Sequence, residues 1–304
     1  MSKVARLSVI VLTYNEELHI ERCISKLRTF ASNIYVVDSF STDGTVSIAE
    51  SLGATVLQNE WVNYGHQFQW ALDNCLIKTE WVMRVDADEY STPELIDEII
   101  NRLPTLDSAV SGVLVNLGWC FLGRLIRHGG RYPVPLLRIW RTGKAHIEQR
   151  WMDEHLVLDE GETVRFKGAH IDHNLNKVGW FIEKHNNYAT REMVDIINQK
   201  YHLFQQDTTL ANNAQQAKYK RVLKESIYNK LPIFVRPTLY FMYRYFVRLG
   251  FLDGKEGFAY HFMQGYWYRC LIDIKVYEAE KILSQCITAD EKILKLSELT
   301  GLKF

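Results

Sequence analysis

Over the first hundred residues short apolar runs alternate with amphipathic stretches, and no other feature narrows the possible folds as much. "LSVIVLT" (7–13) is followed by Glu16 to Leu27, "IYVVD" (34–38) by Gly44 to Leu52, "ATVLQ" (54–58) by His66 to Ile77, and "EWVMRVD" (80–86) by Pro93 to Leu103. Short apolar runs read as buried strands and the longer amphipathic stretches as helices, so the pattern predicts a mostly parallel sheet sandwiched by helices. The punctuation agrees. Ser41-Thr42-Asp43 offers capping oxygens before the second helix, Gly53 can close it, and Thr92 before Pro93 is a capping hydroxyl followed by proline at the first helical position. Residues 109–119, "AVSGVLVNLGW", and the segment "PLLRIWRTGKAHI" predict further strands.

In such a sheet ligands gather at the carboxyl ends of the strands, where loops and helix amino termini converge. "TYNEE" (13–17), "DSFSTDGT" (38–45) and "DADEY" (86–90) all follow strands, so three polar stretches are expected on one rim. Along a strand, residues two apart point to one side, which would bring Asp86 and Asp88 together at about 6–7 Å. Carboxylates that close favour a cation between them. Oxygen ligands suit a hard ion, Mg2+ or Mn2+, whose shell is commonly completed by water and phosphate. Taken singly, Asp-x-Asp is more often a solvated loop, Asn15 a helix cap and Asp43-Gly44 a turn.

Together, "SVIVLTYNEE", "IYVVDSFSTDGTVSIAE", "WVMRVDADE" and the later "MDEHL" resemble, in order and spacing, the family 2 glycosyltransferases. The resemblance implies the α/β nucleotide-sugar fold called GT-A. It also implies roles. Thr13, Tyr14, Asn15, Glu16 and Asp38 would line the nucleoside site with Asp43 nearby, and Asp86 and Asp88 would hold the metal and the diphosphate of a donor, with a UDP-sugar favoured. Where the family often carries a second aspartate after the second strand this chain has Ser39, so the expected base contact rests on Asp38.

Transfer of the sugar puts negative charge on the leaving diphosphate, which a divalent ion stabilises, and takes a proton from the acceptor hydroxyl, which calls for a carboxylate base. "RWMDEHL" (150–156) resembles the family's acidic pair, making Asp153 and Glu154 the candidates, with Glu154 favoured and an inverting outcome expected. A helix start at Asp153 is the plainer alternative. His173 is a candidate third ligand of the metal, while a packed histidine is the commoner case. Arg131 and Arg138 could neutralise phosphate through the planar guanidinium fork, or form ordinary ion pairs.

The same elements would serve a sugar nucleotidyltransferase. Its glycine-rich, basic phosphate loop is replaced here by the acidic "TYNEE". A glycoside hydrolase needs opposed acids flanking the sugar, a placement that Asp86 and Asp88 on one face do not give. A third possibility is a scaffold for polysaccharide assembly that keeps the fold without catalysis.

Composition bears on partners and compartment. Thirty-six basic residues balance thirty-six acidic ones over 304 residues, so net charge gives no reason to expect nucleic acid. Five scattered cysteines without a Cys-x-x-Cys argue against a disulfide framework and suggest the cytoplasm. The apolar run 7–12 is too short for a signal core, and no stretch of about 18 apolar residues suggests a membrane span. The polar stretch beginning at Gln205 marks a division into residues 1–204, the GT-A domain, and 205–304, a helical region rich in aromatics and arginine. There, Arg244 and Arg248, four apart, are expected to share a helix face among Tyr240, Phe241, Phe246, Leu249 and Phe251, suiting a helix in a membrane interface. The segment "RLGFLDGKEG...QGYWYR" also resembles enzymes building bacterial lipopolysaccharide core, capsule or exopolysaccharide. That implies a lipid-linked saccharide acceptor and a peripheral position on the cytoplasmic face of the inner membrane.

Overall fold

The computed structural model describes residues 6–148, 156–204 and 231–302. The chain divides into two compact units, Met1–Leu175 and Asn176–Phe304. The sequence placed the division at 204/205, behind helix α5 (Val178–Tyr201). That helix groups instead with the second unit, because Ala189, Met193, Val194 and Ile197 on one of its faces bury against Tyr268, Ile272, Val276 and Leu283.

The first unit is the expected α/β layer structure. Strands β1 (Leu7–Thr13), β2 (Asn33–Asp38), β3 (Thr55–Gln58) and β4 (Trp81–Asp86) run parallel in the order β3-β2-β1-β4. Beyond β4 the sheet becomes mixed. β8 (Val134–Arg141) lies antiparallel between β4 and β6 (Val110–Phe121), β11 (Glu162–Asp172) runs parallel to β6, and β5 (Glu89–Ser91) closes the edge against β11, while β7 (Arg124–Ile126) pairs with β6 and β9 (Ala145–Ile147) pairs with β10 (Leu156–Leu158) in a separate ribbon.

The two-residue period of the strands accounts for both cores. Leu7, Val9 and Val11 of β1, Ile34 and Val36 of β2, and Trp81, Met83 and Val85 of β4 face one side. They meet Ile20, Ile24 and Leu27 of α1 (Glu17–Leu27), Ala49 of α2 (Thr45–Ser51), and Leu95 and Ile99 of α4 (Pro93–Asn101). The alternate residues Ile10, Tyr35, Val37 and Val82 face the other side and meet Phe68 and Ala71 of α3 (Tyr64–Asn74). Each fully buried aliphatic side chain stabilises the unit by about 1.5–3 kcal/mol, so a one-residue slip of any central strand would be very costly.

The expected punctuation is present. Thr92 Oγ1 accepts the Leu95 amide ahead of α4, Asp43 Oδ1 accepts the Thr45 amide at 3.0 Å, and Gly53 follows α2 with φ +81°. Gly168 lets β11 touch the start of α4: a Cβ there would lie 2.3 Å from the Leu95 nitrogen.

The second unit is helical. Its amphipathic pairing is continued by the helix Ala289–Thr300, which opens with a capping box between Thr288 and Glu291. Ahead of it, the helix Val235–Met242 runs into a wide-turned π stretch, Tyr243–Val247, and the helix Gly254–Tyr260 runs into another, His261–Trp267.

The expectation for the arginines is corrected here. Arg244 is 1% exposed and donates to Gln264 Oε1 at 2.5 Å, with its guanidinium 5.4 and 5.6 Å from the Tyr240 and Tyr260 ring centres, whereas Arg248, just past the π stretch, is exposed. The two do not share a helix face because the helix ends between them: Arg248, with φ −91° and ψ 13°, closes the π stretch, and Leu249 turns left-handed at φ +58°. Arg236 is likewise buried, its Nε donating to Asp273 Oδ1 at 2.8 Å. Among the described residues no helix is long and apolar enough to cross a membrane.

Candidate active site

Parallel pairing brings the carboxyl ends of three strands side by side: Thr13 stands opposite Asp38, and Leu12 opposite Asp86. The loops after β1 and β2 are tied together by their polar residues. The Asn15 amide donates to Ser41 Oγ at 2.8 Å, Asn15 Oδ1 accepts the Thr42 amide at 2.9 Å, and the Glu16 amide donates to Thr45 Oγ1 at 2.8 Å. Asn15 has φ +55°, a left-handed conformation that asparagine tolerates, and this turns its amide oxygen onto the neighbouring loop. Glu16 pairs with His19 at 2.6 Å, and Tyr14 is 59% exposed.

Asp38 is fully buried and its carboxylate is engaged inside the protein. It accepts from Thr13 Oγ1 at 2.9 Å, Ser41 Oγ at 2.5 Å, the Ser41 amide at 2.8 Å and Gln58 Nε2 at 3.3 Å. In this geometry Asp38 shapes the loop and presents no exposed atom. Asp43 does similar work for the start of α2, accepting from Thr45 and from the Glu17 amide. Burial pushes the Asp43 carboxyl up, but these hydrogen bonds outweigh it and hold the group below the ordinary carboxylate value.

The acids of "DADEY" separate into three environments. β4 ends at Asp86, Ala87 and Asp88 form a tight turn, and Glu89 opens β5. The expectation that Asp86 and Asp88 share a strand face therefore gives way to a turn between two strands. Asp86 Oδ1 accepts from the Tyr64 hydroxyl at 2.6 Å, and the guanidiniums of Arg84 and Arg138 flank the carboxylate at 3.8 and 3.6 Å. Burial alone would raise the Asp86 carboxyl, yet the two arginines and the Tyr64 hydrogen bond hold it well below the usual range. Arg84 also lies over the Tyr64 ring, 4.1 Å from its centre, which fixes the orienting phenol. Burial pushes that phenol well above its ordinary value, so it remains a donor.

Glu89 is 2% exposed and forms the foundation of the turn, with Oε2 accepting the Asp86 amide at 2.9 Å and Oε1 accepting Arg138 Nη2 at 2.7 Å. His170, held by Ser91, approaches Glu89 Oε2 at 3.2 Å. Burial would lower the Arg138 guanidinium, but Glu89 and Asp86 raise it above its ordinary value. Arg138 thus reaches Asp86 from inside the protein. Arg131 lies over the Trp119 ring at 4.0 Å.

Asp88 and His173 belong to a second cluster. Asn174 Nδ2 donates to Asp88 Oδ2 at 2.9 Å, and the His173 amide donates to the Asp88 carbonyl at 3.0 Å. Arg22 of α1 fastens both segments, donating from Nη2 to the carbonyls of Asp88 and His173 at 2.9 and 2.7 Å, with Nη1 3.3 Å from His173 Nδ1. Burial, then Arg22 and His19, lower the His173 imidazolium below its ordinary value. Among the described residues no group of three or more His, Cys, Asp or Glu side chains gathers as a metal site.

For a hard divalent ion the two aspartates differ. Asp86 is flanked by two guanidiniums, whereas Asp88, in the turn, carries the Asn174 amide on Oδ2 with Arg22 on its backbone carbonyl, and its carboxylate is of the oxygen type that a hard ion takes. Asp153 and Glu154 lie outside the described residues.

Thus the structure brings Thr13, Asn15, Glu16, Asp38, Asp43 and Asp86 to neighbouring strand ends and sets Asp88 and His173 together on the β4–β5 side. Sequence reasoning missed Arg22, Tyr64, Arg84, Glu89 and Asn174 as residues that build the site. Arg84 and Asp86, two apart on a strand, could have been paired by the strand period. Nothing in the sequence points Arg22 or Tyr64 toward these loops.

A family model, Glycosyl transferase family 2, matches residues 8–154. An uncharacterized glycosyltransferase of Rickettsia bellii is 45% identical over 94 residues, 31% of this chain and 31% of that protein. The aligned part thus spans about a third of that relative's length. The lipopolysaccharide core biosynthesis glycosyltransferase LpsC of Rhizobium meliloti is 26% identical over 194 residues, 60% of this chain and 69% of that one. Protein RfbJ of Shigella flexneri is 31% identical over 102 residues, 32% of this chain and 78% of that one.

Proposed function

We propose that this chain, which belongs to the family 2 glycosyltransferases and has their GT-A fold, moves a sugar from a nucleotide donor, a UDP-sugar, to a lipid-linked saccharide in the building of a bacterial surface polysaccharide. The observation that carries this reading is the alignment of Thr13, Asp38 and Asp86 at three adjacent strand ends, with the loops between them locked by hydrogen bonds. A rim built before any ligand arrives lowers the cost of ordering one. Lipopolysaccharide core work in LpsC supports the acceptor class.

In this reading the rim loops hold the nucleoside and Asp86, oriented by Tyr64, Arg84 and Arg138, takes part in donor binding. Asp88 would hold Mn2+ or Mg2+, with His173 beside it, and the ion would stabilise the departing diphosphate as a Lewis acid. The acceptor oxygen forms a bond to the anomeric carbon on the face opposite the diphosphate while the bond to the diphosphate breaks. The acceptor proton passes to a carboxylate, Glu154 or Asp153, and a single displacement inverts the anomeric centre. Mutation of Glu154 to Gln is expected to lower turnover by about 10²–10⁴-fold, the usual worth of a general base. Asp88→Asn or EDTA should abolish turnover supported by Mn2+ or Mg2+. Undiminished turnover by Asp88→Asn in EDTA would reject the metal mechanism, and a protein that binds no nucleotide would be the scaffold.

The second unit supports a membrane position on the cytoplasmic leaflet. Phe234, Leu239, Met242, Phe246, Val247, Leu249, Phe251 and Leu252 are 43–67% exposed. From residue 231 to 252 the chain has no acidic residue, and Asp253 is buried, while Arg248 and Lys255 are exposed. Apolar rings flanked by cations suit an anionic lipid surface. Flotation with liposomes of phosphatidylglycerol and phosphatidylethanolamine measures this directly, and a chain left at the bottom of the gradient rejects it.

A further inference from the structure

We propose that Phe40 is a stacking platform for the nucleobase of the donor, an assignment that rests on the first unit being a nucleotide-sugar transferase. Phe40 follows β2 directly behind Asp38 and Ser39, has φ +59°, and is 51% exposed. Both properties are unfavourable in an isolated protein. A bulky side chain in the left-handed region is strained, and a solvent-facing ring contributes little burial. The conformation is imposed from below. Ser41 is fixed by Asp38 through its amide and hydroxyl, Ser39 is buried with Gln67 Nε2 on its hydroxyl at 3.1 Å, and Ser41 and Thr42 are bonded to Asn15. Residue 40 is therefore held outward by its fixed neighbours, and it is the aromatic residue of this loop.

Position gives the ring its use. The Ser39 amide donates to the Thr13 carbonyl at 2.9 Å, so the chain entering Phe40 runs beside the chain entering Tyr14, the other exposed ring of this rim. Asp38 has its carboxylate engaged by Thr13, Ser41 and Gln58 and is fully buried, so it offers a base no accessible acceptor. Flat apolar faces remain to hold the base. Stacking selects for the presence of a base rather than for its identity, because every base has a π face.

Calorimetric titration of wild type, Phe40→Leu, Phe40→Gly and Phe40→Tyr with UDP, with GDP and with inorganic pyrophosphate tests the assignment. Leu keeps the bulk and the backbone strain but lacks an aromatic face, and Gly relieves the strain. Both should bind UDP and GDP about tenfold more weakly, in the range that stacking supplies. Tyr should bind them like wild type, and pyrophosphate should bind equally to all four. The melting temperature of Phe40→Gly should equal or exceed that of wild type, so that stability and affinity move apart. UDP binding by Phe40→Leu equal to wild type, or an equal loss of pyrophosphate binding, overturns the assignment while leaving the transferase reading intact. Wild type that binds neither UDP nor GDP overturns both.

Discussion

The strand-end rim of the first unit and the aromatic helices of the second both look, in sequence, like charged surfaces waiting for a ligand, and they resolve in opposite ways. In the rim, charge is arranged in depth: buried Glu89 holds Arg138, Arg138 reaches Asp86, and Asp86 stands partly exposed with Tyr64 and Arg84 beside it. In the helices, charge is withdrawn. Arg236 and Asp273 pair out of sight, Arg244 is covered, and the rings face outward. Buried ions in one region therefore position an outer carboxylate, and in the other they pin helices beneath an apolar face. A motif read as charge has to be asked which way it points.

Removing one partner of each buried pair breaks the comparison at its strongest point. Glu89→Ala and Arg236→Ala should each cost about 3–5 kcal/mol, because the remaining charge is left in the interior without its counterion. Thermal melts give the test. A silent Arg236→Ala would mean that the second unit does not depend on its hidden pair as the rim does.

Arg248→Glu probes the outward side and should change stability by no more than about 0.5 kcal/mol, as expected of an exposed position. Its effect should appear in flotation with anionic liposomes, with the bound fraction falling several-fold. An unchanged bound fraction would leave the apolar rings as the sole attachment and remove electrostatics from that surface.

Acid supplies the smallest effect. The Asp43 carboxyl is held below its ordinary value, so its contribution is present above the unfolded value of about 3.9 and is lost as pH falls through the lower folded value. The difference in melting temperature between wild type and Asp43→Asn should shrink between pH 6 and pH 3. It should be modest at any pH, since the group is partly open to solvent. A difference that grows in acid would assign Asp43 another role.

What could be read in advance follows the same division. β1, β2 and β4 were legible because central strands in a sheet covered on both faces are nearly all apolar, and the capping signals at Thr92 and Asp43 act within a few residues. β5 was hidden in "EYS", and β11 in "ETVRFKGAHID", where polar residues interrupt the pattern. Asp88 therefore appeared to continue a strand that had already ended. Arg22 and Tyr64 reach the site only through packing of α1 and α3, which no local pattern encodes. The Arg244 and Arg248 expectation failed because the helix stops at Arg248, so a spacing rule for helix faces was applied across a helix end.

Each wide-turned stretch, Tyr243–Val247 and His261–Trp267, can be counted as a helix carrying about one surplus residue. Such a surplus shifts the phase of everything after it by about 100°, the angle between successive helical residues. Shortening His261–Trp267 by a single position would turn the helix that continues from it, Tyr268–Leu283, by about a quarter turn and take Ile272, Val276 and Leu283 off their packing. The length of this segment is thus as tightly constrained as its chemistry, and related chains should tolerate substitutions here far more readily than gaps.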